Sequence, residues 1–194
     1  MHQNVIAALL TFARFSMRAK WVARSVFGMA FLPTVAMGWA DGMSQQESAI
    51  KAGFIYNFAK FVSWPRSATS SGVFVFCVGG DKEFSMIFRK TVAGKKISEL
   101  PIDVVDIEEG DLAKPCNVLY IPHTEPEVAE KFLDGYPGHP VLSVGETSDF
   151  IAKGGVIGFY LDSGRLRFEI GLSNANKSEL TISSELLSLA KVHR

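Results

Sequence analysis

The fold is decided by one stretch near the middle of the chain, VFVFCVGGDKEFSMIFRKT, which covers residues 73–91. Its first part, from Val73 to Val78, is a continuous apolar run that ends in two glycines, as strands buried on both faces of a parallel sheet often do. Its second part, from Glu83 to Thr91, places three apolar side chains on one side of a helix. A strand that leads through a tight turn into a helix is the building unit of α/β proteins.

Segments of the same two kinds flank this unit on both sides. Upstream, Ser48 to Val62 has apolar residues at helical spacing and stops at Trp64-Pro65. Downstream come three short strand candidates with one crossover helix, a β-hairpin and a terminal helix: Ile102–Ile107, Asn117–Ile121, the helix Glu125–Leu133, Pro140–Val144, the hairpin arms Val156–Leu161 and Arg165–Ile170, and the helix Ser184–Val192. We therefore predict an α/β fold, a three-layer Rossmann-like sandwich with a largely parallel sheet and a C-terminal β-hairpin.

The predicted first helix has an unusually aromatic apolar face. Phe54, Phe58 and Phe61 recur on it at helical spacing, and we expect this face to lie in the core. The alternative is an apolar interaction surface, because Ile55 and Tyr56 broaden the face beyond a narrow stripe.

The composition indicates one folded domain after a basic leader. The chain has 194 residues, of which 47% are hydrophobic and 21% charged, so neither disorder nor a fibre is expected. Residues 1–40 hold four of the 20 basic residues and none of the 20 acidic ones, which leaves 16 basic and 20 acidic residues in the remainder. A mildly acidic domain does not attract phosphate backbones, so nucleic-acid binding is disfavoured.

The leader has the order of regions typical of a secretory signal peptide. A basic region from Arg18 to Arg24 precedes a mostly apolar stretch, which ends in small residues before a predicted cleavage between Ala40 and Asp41. We predict a signal peptide over 1–40, with Met17 as a possible functional start, and a single periplasmic domain over 41–194. An uncleaved membrane anchor is disfavoured because Pro33 interrupts the stretch, which is shorter than the roughly 20 residues of a spanning helix.

The two cysteines, Cys77 and Cys116, both lie in the predicted mature part. In an oxidising compartment an isolated pair indicates a disulfide. Cys77 lies within one predicted strand and Cys116 directly precedes another, and if these strands are neighbours, their spacing of about 4.8 Å suits a disulfide. Two buried free thiols are the alternative. A metal site is disfavoured because His123 and His139 have no further ligand at a suitable spacing.

The chain shows no arrangement of residues typical of catalysis or cofactor binding. Gly79-Gly80-Asp81 follows a strand but lacks the spacing of a dinucleotide or phosphate loop, so we expect a tight turn. His123 and His139 are expected to be surface or capping residues, and Glu146 and Asp149 to precede a short helical segment. We predict no catalytic residue, no metal and no cofactor, and therefore a protein that acts by binding.

Several stretches taken together resemble the YfiR-like family of small periplasmic proteins, from about Ala49 to Val192. The resemblance is carried by the segments Lys51–Pro65, Phe76–Gly80, Cys116–Ile121, Pro140–Val144, Gly154–Phe159 and Arg167–Ile170. It implies a homodimeric α/β protein that represses an inner-membrane diguanylate cyclase by binding its periplasmic sensor portion, which lowers cyclic di-GMP and biofilm formation. It also implies that an OmpA-like outer-membrane lipoprotein can sequester the repressor.

The resemblance extends to particular positions. Cys77 and Cys116 match one disulfide of the family, while the second cysteine pair expected between Phe150 and Phe159 is absent. Glu169 matches an acidic position in the family's Phe-Glu motif, and Arg165 and Arg167 lie on the same predicted strand face. We expect these three residues to contact the partner, unless this face is merely solvated. The alternative function is a periplasmic small-ligand-binding accessory to a sensor kinase or an outer-membrane transporter.

Overall fold

The computed structural model describes residues 39–109, 115–122, 125–136 and 139–194, with side chains from residue 45 onward. The predicted signal peptide and His123 therefore lie outside the described residues, apart from the last two positions of the leader. Ala40 and Asp41 fall at the beginning of the first helix, and their cleavage stays a prediction. Among the helices that are described, none is long and apolar enough to cross a membrane.

Helices and short strands alternate along the chain. The helices are α1 Trp39–Lys60, α2 Arg66–Thr69, α3 Lys82–Val92, α4 Pro126–Asp134, α5 Leu172–Lys177 and α6 Ser184–Leu189. The strands are β1 Val62–Ser63, β2 Phe74–Gly79, β3 Lys96–Ile97, β4 Leu100–Ile107, β5 Val118–Ile121, β6 Leu142–Gly145, β7 Ile157–Asp162, β8 Arg165–Gly171, β9 Thr181–Ile182 and β10 Lys191–His193.

Eight strands form one mixed sheet in the order β10-β8-β7-β6-β5-β2-β4-β3, and β1 pairs with β9 in a separate two-stranded sheet. Strands β4, β2, β5, β6 and β7 run parallel, β7 and β8 form an antiparallel hairpin, and β3 is antiparallel to β4. The predicted α/β class and C-terminal hairpin are confirmed. The finer prediction of a largely parallel, three-layer Rossmann-like sandwich is not confirmed, because antiparallel strands join the sheet on both sides.

The central strand-turn-helix unit forms as predicted. Gly79 ends β2, and Gly80 adopts a φ of 71°, which a side chain would disfavour. The Asp81 carboxylate then accepts a hydrogen bond of 2.8 Å from the backbone N–H of Phe84 and so caps α3. The glycines therefore serve the turn, as expected, and the aspartate begins the helix.

The C-terminal end differs from the prediction. The expected helix over Ser184–Val192 ends at Leu189, and Lys191–His193 instead forms β10, parallel to β8. The strand exists because β8 offers an unpaired edge there, which local helical spacing in the sequence does not reveal.

The aromatic face of α1 is core, as predicted. Phe58 is 1% exposed, and its ring centroid lies 4.8 Å from that of Phe168 and 5.7 Å from that of Phe159. Ile55, which broadens this face, is buried as well, but the prediction was wrong for Phe61, which is 41% exposed because the helix ends at Lys60. The aromatic face is therefore core within the helix, and Phe61 directly after it lies at the surface.

Candidate interaction surface

The outward face of the C-terminal hairpin brings the three predicted partner-binding residues together. Residues of a strand alternate between the two sheet faces, and Phe168 and Ile170 are buried on the inner one. Arg165, Arg167 and Glu169 share the outer face. Cross-strand register adds Tyr160, which lies opposite Arg167, and Lys191, which lies opposite Glu169. We call these residues together with His193 the hairpin face.

Glu169 has an internal role on this face. Its side chain is only 15% exposed, and its Oε2 lies 3.3 Å from Lys191 Nζ and 2.8 Å from His193 Nε2. These contacts tie β10 to β8 by a charge-assisted pairing. The Glu169 carboxylate is therefore already bound by two residues of the same chain. Its contact with a partner stays a prediction.

The outermost groups of the hairpin face are cationic and aromatic, and beside them the exposed Asp162 lies opposite Arg165. Arg165 and Arg167 are exposed, and Tyr160 is 37% exposed. Lys191 Nζ lies 6.0 Å from the centroid of the Tyr160 ring, at the outer limit of a cation–π contact. Arginine and tyrosine are the residues that protein interfaces favour, because each combines a large contact area with a hydrogen-bonding end.

A second candidate site is a cleft beside the disulfide. Cys77 and Cys116 are bonded as predicted, with 5.8 Å between their Cα atoms, which excludes the alternative of two free thiols in this structure. The cleft has a volume of about 1000 Å³ and opens at the amino ends of β2, β5 and β6. Its described lining combines apolar groups with a few polar ones, Val75, Asp103, Cys116, Tyr136, His139 and Val141 among them. Clefts of this size and mixture hold small molecules in other proteins.

At the carboxyl ends of the strands, opposite the cleft, a polar contact joins α1 to the sheet. Chains of α/β type bind ligands outside the carboxyl ends of strands, where successive connections diverge, and here β2 has β4 on one side and β5 on the other. Close to that point, the Glu146 carboxylate accepts hydrogen bonds from the Tyr120 hydroxyl and from Lys51 Nζ, the latter at 2.9 Å. Lys51 and Glu146 are 13% and 11% exposed. The contact ties α1 to the sheet.

Burial raises the pKa of Tyr120 well above its ordinary value, and the negative charge of Glu146 raises it further. For Lys51, burial acts to lower the pKa, but hydrogen bonds to Glu47 and Glu146 outweigh it, so the pKa is raised. Tyr120 is therefore neutral and Lys51 charged at neutral pH. This arrangement is a fixed ion pair with a phenol donor, which holds the helix in place.

The other titratable residues that the sequence analysis considered do not form a common site. Glu146 contacts Lys51, whereas Asp149 lies 3.4 Å from Lys153 Nζ, so these two carboxylates have separate partners. His139 is exposed at the cleft, in agreement with the prediction of a surface histidine. Within the described part of the chain, no group of three or more His, Cys, Asp or Glu is placed to hold a metal ion.

Sequence reasoning missed Tyr160, Lys191 and His193 as members of the hairpin face. Tyr160 was available from the hairpin register, because the turn between Asp162 and Arg165 fixes which residues of the two arms lie opposite each other. Lys191 and His193 carried no such signal, since their strand forms only by pairing with β8.

A family model described as YfiR/HmsC-like matches residues 48–191 of the chain. Among solved structures, a conserved domain protein from Vibrio cholerae O1 biovar El Tor is similar with a TM-score of 0.49 and 11% sequence identity. That likeness covers 66% of this chain and 57% of the other, so the chain spans little more than half the length of that protein.

Proposed function

The chain belongs to the YfiR/HmsC-like family, and from this premise we propose that it represses an inner-membrane diguanylate cyclase by binding the cyclase's periplasmic sensor portion. At the level of the family, the function is regulation of a diguanylate cyclase from the periplasm. Repression by this chain would lower cyclic di-GMP and biofilm formation. The chain acts by binding and not by catalysis.

The observation that carries the proposal is the hairpin face. Arg165, Arg167 and Lys191 project from a sheet surface that has two acidic residues: Glu169, which contacts Lys191 and His193 of β10, and the exposed Asp162, which lies opposite Arg165. Cations still outnumber carboxylates on this surface, and Lys191 lies beside the Tyr160 ring. Such a surface fits an acidic patch on the partner, because complementary charge steers association and rejects wrong partners.

The partners follow from the same proposal. The periplasmic portion of the cyclase occupies the hairpin face, and an OmpA-like outer-membrane lipoprotein competes with it by sequestering the chain. The chain works as a homodimer, so that each complex presents two hairpin faces. The signal peptide over 1–40 delivers it to the periplasm.

The test is to measure cyclic di-GMP in cells that lack the gene and in cells that carry it again. We expect the deletion to raise cyclic di-GMP and the wild-type gene to restore it, whereas residues 41–194 without the leader do not. Arg165→Glu combined with Arg167→Glu should fail to restore repression while the protein is exported and folded. The matched control is Lys82→Glu combined with Lys177→Glu, which makes the same charge change elsewhere and should repress normally.

Repression by the arginine variant equal to that by the control would remove the hairpin face from the proposal. Unchanged cyclic di-GMP on deletion would remove the cyclase. Glu169→Arg is a poorer variant, since it would set a cation against Lys191 and loosen β10 as well as altering the surface.

The cleft favours a second candidate function, a small-ligand-binding accessory to a sensor kinase or an outer-membrane transporter. Among the described residues that line the cleft, Asp103 is acidic and none is Lys or Arg. A neutral or cationic molecule therefore fits better than an anion. A ligand that binds only the folded protein raises the midpoint of thermal unfolding, and above its dissociation constant the stabilisation grows with the logarithm of its concentration. We expect stabilisation by small aromatic amines that is lost when Val75→Trp fills the cleft.

A further inference from the structure

The outward stripe of α1 is unusual for a surface helix. Residues 48–61 contain no acidic residue, and their cations are Lys51, which is paired inside, and Lys60. On the solvent side, Ile50 is 47% exposed and Phe61, directly after the helix, is 41% exposed. A surface helix normally carries charged residues opposite its buried face. Here the outer stripe carries no charge before Lys60: the exposed Asn57 lies between Ile50 and Phe61.

Lysines gather at the carboxyl end of this stripe around one tyrosine. Lys95 Nζ lies 4.7 Å and Lys60 Nζ 5.7 Å from the centroid of the Tyr56 ring, and the Tyr56 hydroxyl donates to the backbone oxygen of Lys96 at 3.3 Å. Lys60 and Lys95 form no ion pair with a carboxylate of the described residues. Lys96 reaches Glu99 at 3.7 Å, but both side chains are more than half exposed, so this pair is weak.

The lysines beside Tyr56 lack a carboxylate partner among the described residues, although residues 41–194 contain more acidic than basic residues. An external anion could therefore bind them without displacing an existing ion pair of Lys60 or Lys95. We call Ile50, Tyr56, Lys60, Phe61, Lys95 and Lys96 the docking face.

We propose that the docking face binds an anionic phospholipid bilayer. Lysines beside exposed aromatic and aliphatic groups are the combination that peripheral helices use at a membrane surface, where the ammonium groups meet lipid phosphates and the apolar groups enter the interface. A second copy of the chain fits less well, because a twofold contact would bury the lysines of both copies against a face that itself contains no acidic residue. The proposal is independent of the hairpin face.

The experiment is co-sedimentation of the exported, processed protein with vesicles. Vesicles of phosphatidylcholine with roughly a third phosphatidylglycerol are compared with pure phosphatidylcholine, at low and high salt. Because each lysine near an anionic surface contributes about a factor of five to binding, Lys60→Glu, Lys95→Glu and Lys96→Glu together should lower partitioning by roughly 100-fold or more. Phe61→Ser alone should lower it roughly fivefold.

The matched control is Lys82→Glu, Lys131→Glu and Lys177→Glu, which makes the same change of charge on other surfaces and should lower partitioning far less. Far-ultraviolet circular dichroism and the unfolding midpoint verify that both triple variants are folded. Equal losses in the two triple variants, or equal binding to neutral vesicles, would overturn the proposal. So would a docking-face variant that binds vesicles normally but changes its oligomeric state, since the face would then join copies of the chain.

Discussion

The two faces of the central sheet are stabilised by different means. On one face, α1 and α3 cover a cluster of 26 buried residues among those described, many of them aromatic. On the other, α4 covers a cluster of eight, beside which the cleft opens and the disulfide crosses. We call them the aromatic face and the disulfide face. The disulfide face buries fewer apolar residues, and a disulfide can supply part of the stability that a larger buried apolar area would provide.

The largest expected effect is on the aromatic face. Phe58→Ala removes a fully buried ring that contacts three other phenylalanines, so the free energy of unfolding should fall by about 3–5 kcal/mol. Urea denaturation measures it. Phe61→Ala, on the exposed side of the same helix region, is the control and should cost less than about 1 kcal/mol. Similar losses for both would mean that the aromatic face does not carry the stability.

The disulfide face depends on its covalent link. Replacing Cys77 and Cys116 by alanine opens a loop with a sequence separation of 39, which should lower the free energy of unfolding by about 2–4 kcal/mol. Urea denaturation with and without reductant tests this in the wild type. The double variant should be insensitive to reductant, and a fully reduced wild type as stable as the oxidised protein would refute the role of the bond.

The packing of the disulfide face can be tested by replacing a glycine with alanine, with a second glycine as the control. A Cβ on Gly145 would overlap the ring of the buried Phe150, so Gly145→Ala should cost about 1–3 kcal/mol of unfolding free energy. Gly53, within α1, has open space around an added Cβ, and Gly53→Ala should stabilise by about 0.5–1 kcal/mol. Thermal unfolding of the two variants should shift in opposite directions, and shifts of the same sign would contradict this packing.

The smallest expected effect is on the pH dependence of stability and comes from Tyr120. Its ring packs in the aromatic face, and its hydroxyl contacts Glu146. Its pKa is raised on folding, so the unfolded chain loses the proton first as pH rises. Stability from this source is complete below pH 10 and declines above it. Unfolding midpoints from pH 8 to 11 should fall more steeply for the wild type than for Tyr120→Phe, and parallel curves would disprove the linkage.

The sequence predicted the elements that local pattern specifies. The unit from β2 to α3, the crossover helix α4 and the hairpin of β7 and β8 were found with bounds close to those observed, because apolar periodicity and turn residues define them directly. Arg165, Arg167 and Glu169 were also assigned to one strand face correctly, since alternation along a strand is local.

Other features depend on contacts between distant segments. The pairing of β10 with β8, the separate sheet of β1 and β9, and the occupation of Glu169 by Lys191 and His193 join residues that no local pattern relates. The cleft belongs to the same class, because it forms where segments far apart in the chain meet.

By itself, the sequence determined the α/β class, the disulfide partners and the aromatic stripe of the first helix. These follow from composition and periodicity, which act within a few residues, and from there being only two cysteines to pair. The tertiary structure alone decided that the sheet is mixed, that Glu169 contacts Lys191 and His193, and that Lys60 and Lys95 both lie near the ring of Tyr56. These depend on edge pairing and on side chains brought together across the fold, where burial and charge are set by neighbours that are remote in sequence.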